Sequence, residues 1–153
     1  MRGRPLTVVL SLAILSTSSP SGAAAEVPRT SSLTATISTL RSKKGHLGCA
    51  LFASADGYPA SRTAAVRQRW LTIEGKSMEC SFERLPPGAY AFAVFHDEND
   101  NSLFDTDCLG FPKEGWATSN NASHLLRPPS FEESRVDLAE GASVHVKVTL
   151  RYP

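Results

Sequence analysis

The chain has little of what most function classes require. Cysteine is scarce, with three in 153 residues. Cys49, Cys80 and Cys108 fall at no CxxC or Cys/His spacing, which excludes the usual structural zinc sites. Charge of one sign is lacking too: 16 basic residues stand against 15 acidic ones with no block of either. Nucleic acid and anionic membrane are therefore excluded as expected partners. No uncharged apolar run approaches the ~20 residues that a spanning helix needs. There is also no Gly-rich phosphate loop, no serine elbow and no pair of histidines on one predicted element, so no catalytic signature is present. The expectation is a protein that is not an enzyme.

What is present begins with a targeting pattern. Arg2 and Arg4 precede an apolar run from Leu6 to Leu15, and Ala23, Ala24 and Ala25 supply the small residues of a cleavage site. This reads as a signal peptide over residues 1–25, with a periplasmic or secreted domain over residues 26–153 and no membrane span after its removal. Losing Arg2 and Arg4 leaves the mature chain near neutral. In an oxidising compartment three cysteines allow one disulfide and a leftover thiol, whereas Cys49 and Cys80 on apolar stretches also fit as small buried hydrophobes. Cys108, in a polar stretch, is the one expected at the surface. The pairing stays open.

Period-two alternation dominates the mature chain. Leu33, Ala35 and Ile37 alternate with Thr34, Thr36 and Ser38, and from Val144 to Tyr152 every second residue is apolar. Two further runs are apolar on both faces. Over 46–53, Leu47, Cys49 and Leu51 oppose Ala50 and Phe52; over 89–96, Tyr90, Phe92 and Val94 oppose Ala91, Ala93 and Phe95. Both read as inner strands. Trp70–Glu74 and Ser77–Phe82 flank Gly75-Lys76 and predict a hairpin with Met78, Cys80 and Phe82 facing inward. A short helical turn is expected over 64–69, and a strand over 131–138. The sum is an all-β, single seven-stranded β-sandwich with one long ordered loop from Asp97 to Ser130.

That loop opens with the oxygen-rich run DENDNSLFD. Calcium takes six to eight oxygens, and a loop delivers them most readily from alternate residues. Asp97, Asn99, Asn101 and Asp105, with the Leu103 carbonyl, have that spacing and form the predicted metal site, with calcium as the cofactor. The match is partial. Ser102 stands where a glycine would ease the turn, and Cys108 stands where a bidentate glutamate would close the shell, so a completing carboxylate must come from Asp107, Glu114 or elsewhere. Asx-turns explain the same residues without a metal. Two alternatives remain: a metal-dependent hydrolase centred on His96 and Asp97 with Glu114, and a glycan- or peptide-binding module using Trp116, Phe111 and Tyr58. Asn121-Ala122-Ser123 matches a glycosylation acceptor, relevant only in a eukaryotic secretory route. An unknown extracytoplasmic ligand is the expected partner.

LPPGAYAFAVFHDEN, the continuing HDENDNSLFDTDCLGFPKEGWATSNNA, the PPSF at Pro128 to Phe131 and the closing VTLRYP resemble the bacterial family of small exported proteins called domain of unknown function 2141. The resemblance implies an exported bacterial β-sandwich and no particular activity. The LPPGAY corner is similar to corners of transthyretin-like and collagen-adhesin B-type domains, some of which carry calcium-binding DxNxN loops. The chain departs from the family's usual HDENGNG by having Asp100 and Ser102 in place of glycines, which puts a tight loop in question.

Overall fold

The computed structural model describes residues 29–124 and 126–153, and the signal-peptide reading of residues 1–25 lies outside them. Among the described residues eight strands form two facing sheets: β1 (Ser31–Ser38), β2 (His46–Phe52), β3 (Arg67–Thr72), β4 (Met78–Leu85), β5 (Gly88–Asp97), β6 (Gly115–Thr118), β7 (Arg135–Leu138) and β8 (Ser143–Thr149). One sheet runs β4-β1-β8, with β8 parallel to β1. The other runs β3-β2-β5-β6, and β7 pairs with the N-terminal half of the β5 edge that β6 occupies further along. Helical structure among the described residues is limited to three 3-10 turns, and no helix there is long and apolar enough to cross a membrane.

The all-β sandwich follows from the alternation. Leu33, Ala35 and Ile37 of β1 are fully buried, as are Leu47 and Leu51 of β2 and Phe92 of β5, and all belong to one core between the sheets. β2 and β5 are the inner strands of the larger sheet. Pro86-Pro87 turns the chain from β4 in one sheet to β5 in the other, and the Tyr90 hydroxyl locks this corner by donating to the Pro86 carbonyl at 2.9 Å.

Three expectations are corrected. β3 and β4 do not form a hairpin: β3 pairs with β2, and β4 pairs with β1. Alternation marks which face of a strand is buried but not its neighbour, and buried Ile73 lets residues 73–77 cross between sheets. The helical turn comes earlier, at Arg62–Ala64, with strand pairing already established at Arg67. The long segment after Asp97 is interrupted by β6, the eighth strand, which joins β5 and is bridged through Trp116 to Arg151.

The larger sheet is apolar on its outer face as well. Phe52, Ala91 and Phe131 form a second buried cluster there, with Tyr58 packed edge-on against both phenylalanine rings.

Candidate functional site

Side chains of adjacent strand residues point to opposite faces, and at the end of β5 this separates His96 from Asp97. His96 is fully buried on the core side. Its Nε2 faces the Lys44 carbonyl at 2.8 Å, which can only accept, so the proton sits on Nε2. Nδ1 then accepts from the Tyr152 hydroxyl at 2.7 Å, whose oxygen in turn accepts the Arg41 N–H. This imidazole anchors the C-terminus and the 41–45 turn. His124, near the other end of the loop, pairs with Glu133. The hydrolase constellation of His96, Asp97 and Glu114 thus lacks a shared centre.

Asp97, 1% exposed, organises the turn beyond β5. Its Oδ1 accepts Asn101 N–H at 3.2 Å and its Oδ2 accepts Ser102 N–H at 2.8 Å. Asn99 Oδ1 also accepts Asn101 N–H, and Asn101 Oδ1 accepts Leu103 N–H. The Asp105 carboxylate receives the Asn99 amide at 2.7 Å and the Asn101 amide at 3.1 Å. Four predicted residues, Asp97, Asn99, Asn101 and Asp105, therefore meet in one hydrogen-bonded knot. Leu103 joins it through its backbone, with its side chain exposed. Asp100 and Ser102 both have positive φ, 60° and 62°, at the two positions where glycines were expected. Each costs roughly 1 kcal/mol relative to glycine.

Glu114 is the carboxylate that closes the loop. It is buried, and its two oxygens accept Glu98 N–H and Asp105 N–H, both at 3.1 Å. Burial pushes its pKa above the ordinary glutamate value, and the carboxylates of Asp105 and Asp97 add to this. Asp107 serves a separate turn, accepting Leu109 N–H and Phe111 N–H. Among the described residues, no three His, Cys, Asp or Glu side chains form a metal-binding group.

Beside this knot lies a feature the sequence only hinted at. A groove of about 730 Å³ runs over the outer face of the larger sheet. Its floor is Gly48, Ala50, Ala93, Phe95 and Trp116, and its walls come from Pro59, Ala60 and Arg62, from residues 103–106 and 109–112, and from His124 with residues 126–129. A Cβ at Gly48 would lie 2.5 Å from the Phe95 ring, so glycine lets that ring lie across the floor. Phe95 meets Trp70 and Phe104 edge-on, each at 5.6 Å. Leu103, Phe104, Leu109, Phe111 and Leu126 are exposed along the walls. Trp116 and Phe111 thus share one site, whereas Tyr58 is packed beneath Phe131 and does not line it. Arg62 reaches from the rim to the Ser102 carbonyl at 2.6 Å and lies over Trp70, tying the groove to the acidic loop.

Asn121 was also missed as a structural residue. Its amide donates to the Lys147 carbonyl and its oxygen accepts Thr149 N–H, so the side chain pairs with β8 as a strand would.

No curated protein and no solved structure matches the chain. A family model does match, over residues 35–147, and by that match the chain belongs to the family described as uncharacterized protein conserved in bacteria, DUF2141.

Proposed function

We propose that the protein is an exported, non-enzymatic binding module that seats an apolar peptide segment bearing an acidic residue in the groove over the larger sheet. The observation that carries this reading is the groove itself, a cavity of about 730 Å³ floored by Gly48, Ala50, Ala93, Phe95 and Trp116 and walled by exposed aromatic and aliphatic side chains. That volume is in the range of ligand sites, which are mostly apolar with a few polar groups that fix orientation. Apolar walls favour peptide side chains over a glycan, whose hydroxyls would lose water there without replacement hydrogen bonds. Charge favours an acidic residue on the ligand. Among the described residues the ion-paired arginines are Arg41, Arg127 and Arg135, while Arg62 at the rim makes no ion pair. Export is supported by Arg2, Arg4, the Leu6 to Leu15 run and Ala23 to Ala25.

Calcium fits the adjoining loop by donor chemistry, since all its side-chain donors are hard oxygens. Asp97, Asn99, Asn101, the Leu103 carbonyl and Asp105 would hold the ion, with Glu114 buried behind them. Bound there, calcium neutralises clustered carboxylates and stiffens one wall of the groove. The amides of Asn99 and Asn101 donate to Asp105, so binding requires both to turn their oxygens inward.

The test is fluorescence anisotropy with a labelled peptide of alternating leucine and phenylalanine ending in glutamate. Wild type should bind it more tightly than the same peptide ending in lysine. Trp116→Ala should abolish binding and Arg62→Ala should weaken it. Equal binding of the two peptides, or binding that survives Trp116→Ala, refutes the assignment, as does retention of glycans alone on an array.

A further inference from the structure

We propose that Cys49 and Cys80 are a disulfide-forming pair, closed as the chain folds into a covalent bridge between the two sheets, with Cys108 left as the free thiol. Cys49 lies on the inner face of β2, in the larger sheet, and Cys80 on the inner face of β4, in the smaller one. Both are thiols in the structure, 2% and 1% exposed, and members of the same core. From opposite sheets of that core, each thiol acts on the other's ionisation. Cys108 sits apart in the exposed 107–111 turn.

Their environments in the closed sandwich differ. Burial pushes the Cys49 thiol well up, while the hydrogen bond from Cys49 pulls the Cys80 thiol down. Arg69, directly opposite Cys49 in the β2–β3 register, lowers both. The thiolate is the attacking form, and before the sheets close either sulfur can supply it.

The chemistry balances against a protein disulfide oxidant of an oxidising compartment, and to that extent the bridge rests on the export reading. The thiolate of one of the two cysteines attacks the oxidant's disulfide, forming a mixed disulfide and releasing one oxidant thiolate. The other cysteine, deprotonated, then attacks the Sγ of the first and releases the second oxidant thiolate. The pair loses two electrons and two protons, and the oxidant becomes a dithiol. Because both sulfurs are sealed in the closed sandwich, exchange must occur before the sheets close.

Redox refolding tests the bridge independently of export. The full chain is denatured, reduced, refolded in a mixture of oxidised and reduced glutathione, denatured again and alkylated. The expected result is one alkylated cysteine, Cys108, and a proteolytic fragment joining the Cys49 and Cys80 peptides. Cys108→Ser should leave that fragment unchanged. Reductant should lower the melting temperature of the oxidised protein, and in Cys49→Ala/Cys80→Ala that dependence should vanish. Three alkylated thiols, or a fragment containing Cys108, overturns the proposal. If the bridge forms on refolding but protein directed by its own leader carries three thiols, the export reading fails and the pairing stands.

Discussion

The two sheets use one alternating pattern to different ends. In β4-β1-β8 the inner residues are apolar and the outer ones include serine, threonine, histidine, lysine and glutamate, with the Thr34 and Ser81 hydroxyls paired at 2.9 Å. That face needs no cover. In β3-β2-β5-β6 the inner strands, β2 from Leu47 and β5 up to Phe95, are apolar on both faces; one half of the outer face is sealed by Tyr58 and Phe131, and the other half is the groove. A sheet with two apolar faces either recruits its own loops as a lid or keeps a surface for something else, and here it does both.

The largest expected effect tests the sealed half. Phe52 is an outward residue of β2 yet 1% exposed. Phe52→Ala should cost about 3–5 kcal/mol in chemical denaturation, as for a core phenylalanine. A loss under about 1 kcal/mol would mean that the lid is not packed as core.

The same contrast explains what could be read beforehand. β1, β2, β5 and β8 were legible because alternation, or its doubling on both faces, is local. β6 was not: four residues with a half-buried tryptophan become a strand only by pairing with β5 and Arg151. The separation of His96 from Asp97 was legible in principle, since neighbours on a strand face opposite ways. The knot around Asp97 and Asp105 followed its spacing, but the choice of Glu114 over Asp107 depended on which carboxylate the return chain carries beneath the loop. The groove was least legible, because its floor joins residues of β2, β5 and β6 and its walls come from three distant segments.

Next in size is Glu114→Gln. The amide cannot accept both the Glu98 and Asp105 N–H groups through two oxygens, and one buried donor left unpaired costs about 2 kcal/mol. The pH dependence has a definite sign. Glu114's pKa is raised, so its contribution is whole below the ordinary glutamate value and is lost as pH rises through the raised one. Wild type's advantage over Glu114→Gln should therefore narrow on going from about pH 4 toward neutrality. Glu98 behaves oppositely, its pKa lowered by the hydrogen bond from Arg41. Its contribution is present above the ordinary value and is lost as pH falls through the lowered one, so wild type's advantage over Glu98→Gln should narrow toward acid. Parallel profiles in the two variants would refute this account of the loop.

Calcium should act more modestly. With a Kd of about 1 mM, typical of extracellular modules, 10 mM calcium stabilises by about 1.4 kcal/mol. That corresponds to a melting-temperature rise of roughly 5 °C. Asp97→Ala should abolish the rise, and a rise that persists in the variant would place the ion elsewhere.

The smallest effect bears most directly on the contrast between the sheets. Thr34 lies on the outer face of β1, half-buried, and its only side-chain partner among the described residues is the Ser81 hydroxyl. Thr34→Val keeps the branched shape that strands favour and removes one hydroxyl, leaving Ser81 free to bond water. The change in stability should stay within about 0.5 kcal/mol, because a solvated face has nothing to repack. A cost approaching that of Phe52→Ala would mean that the smaller sheet is also covered, by a partner or a second copy of the chain, and the two sheets would no longer differ in kind.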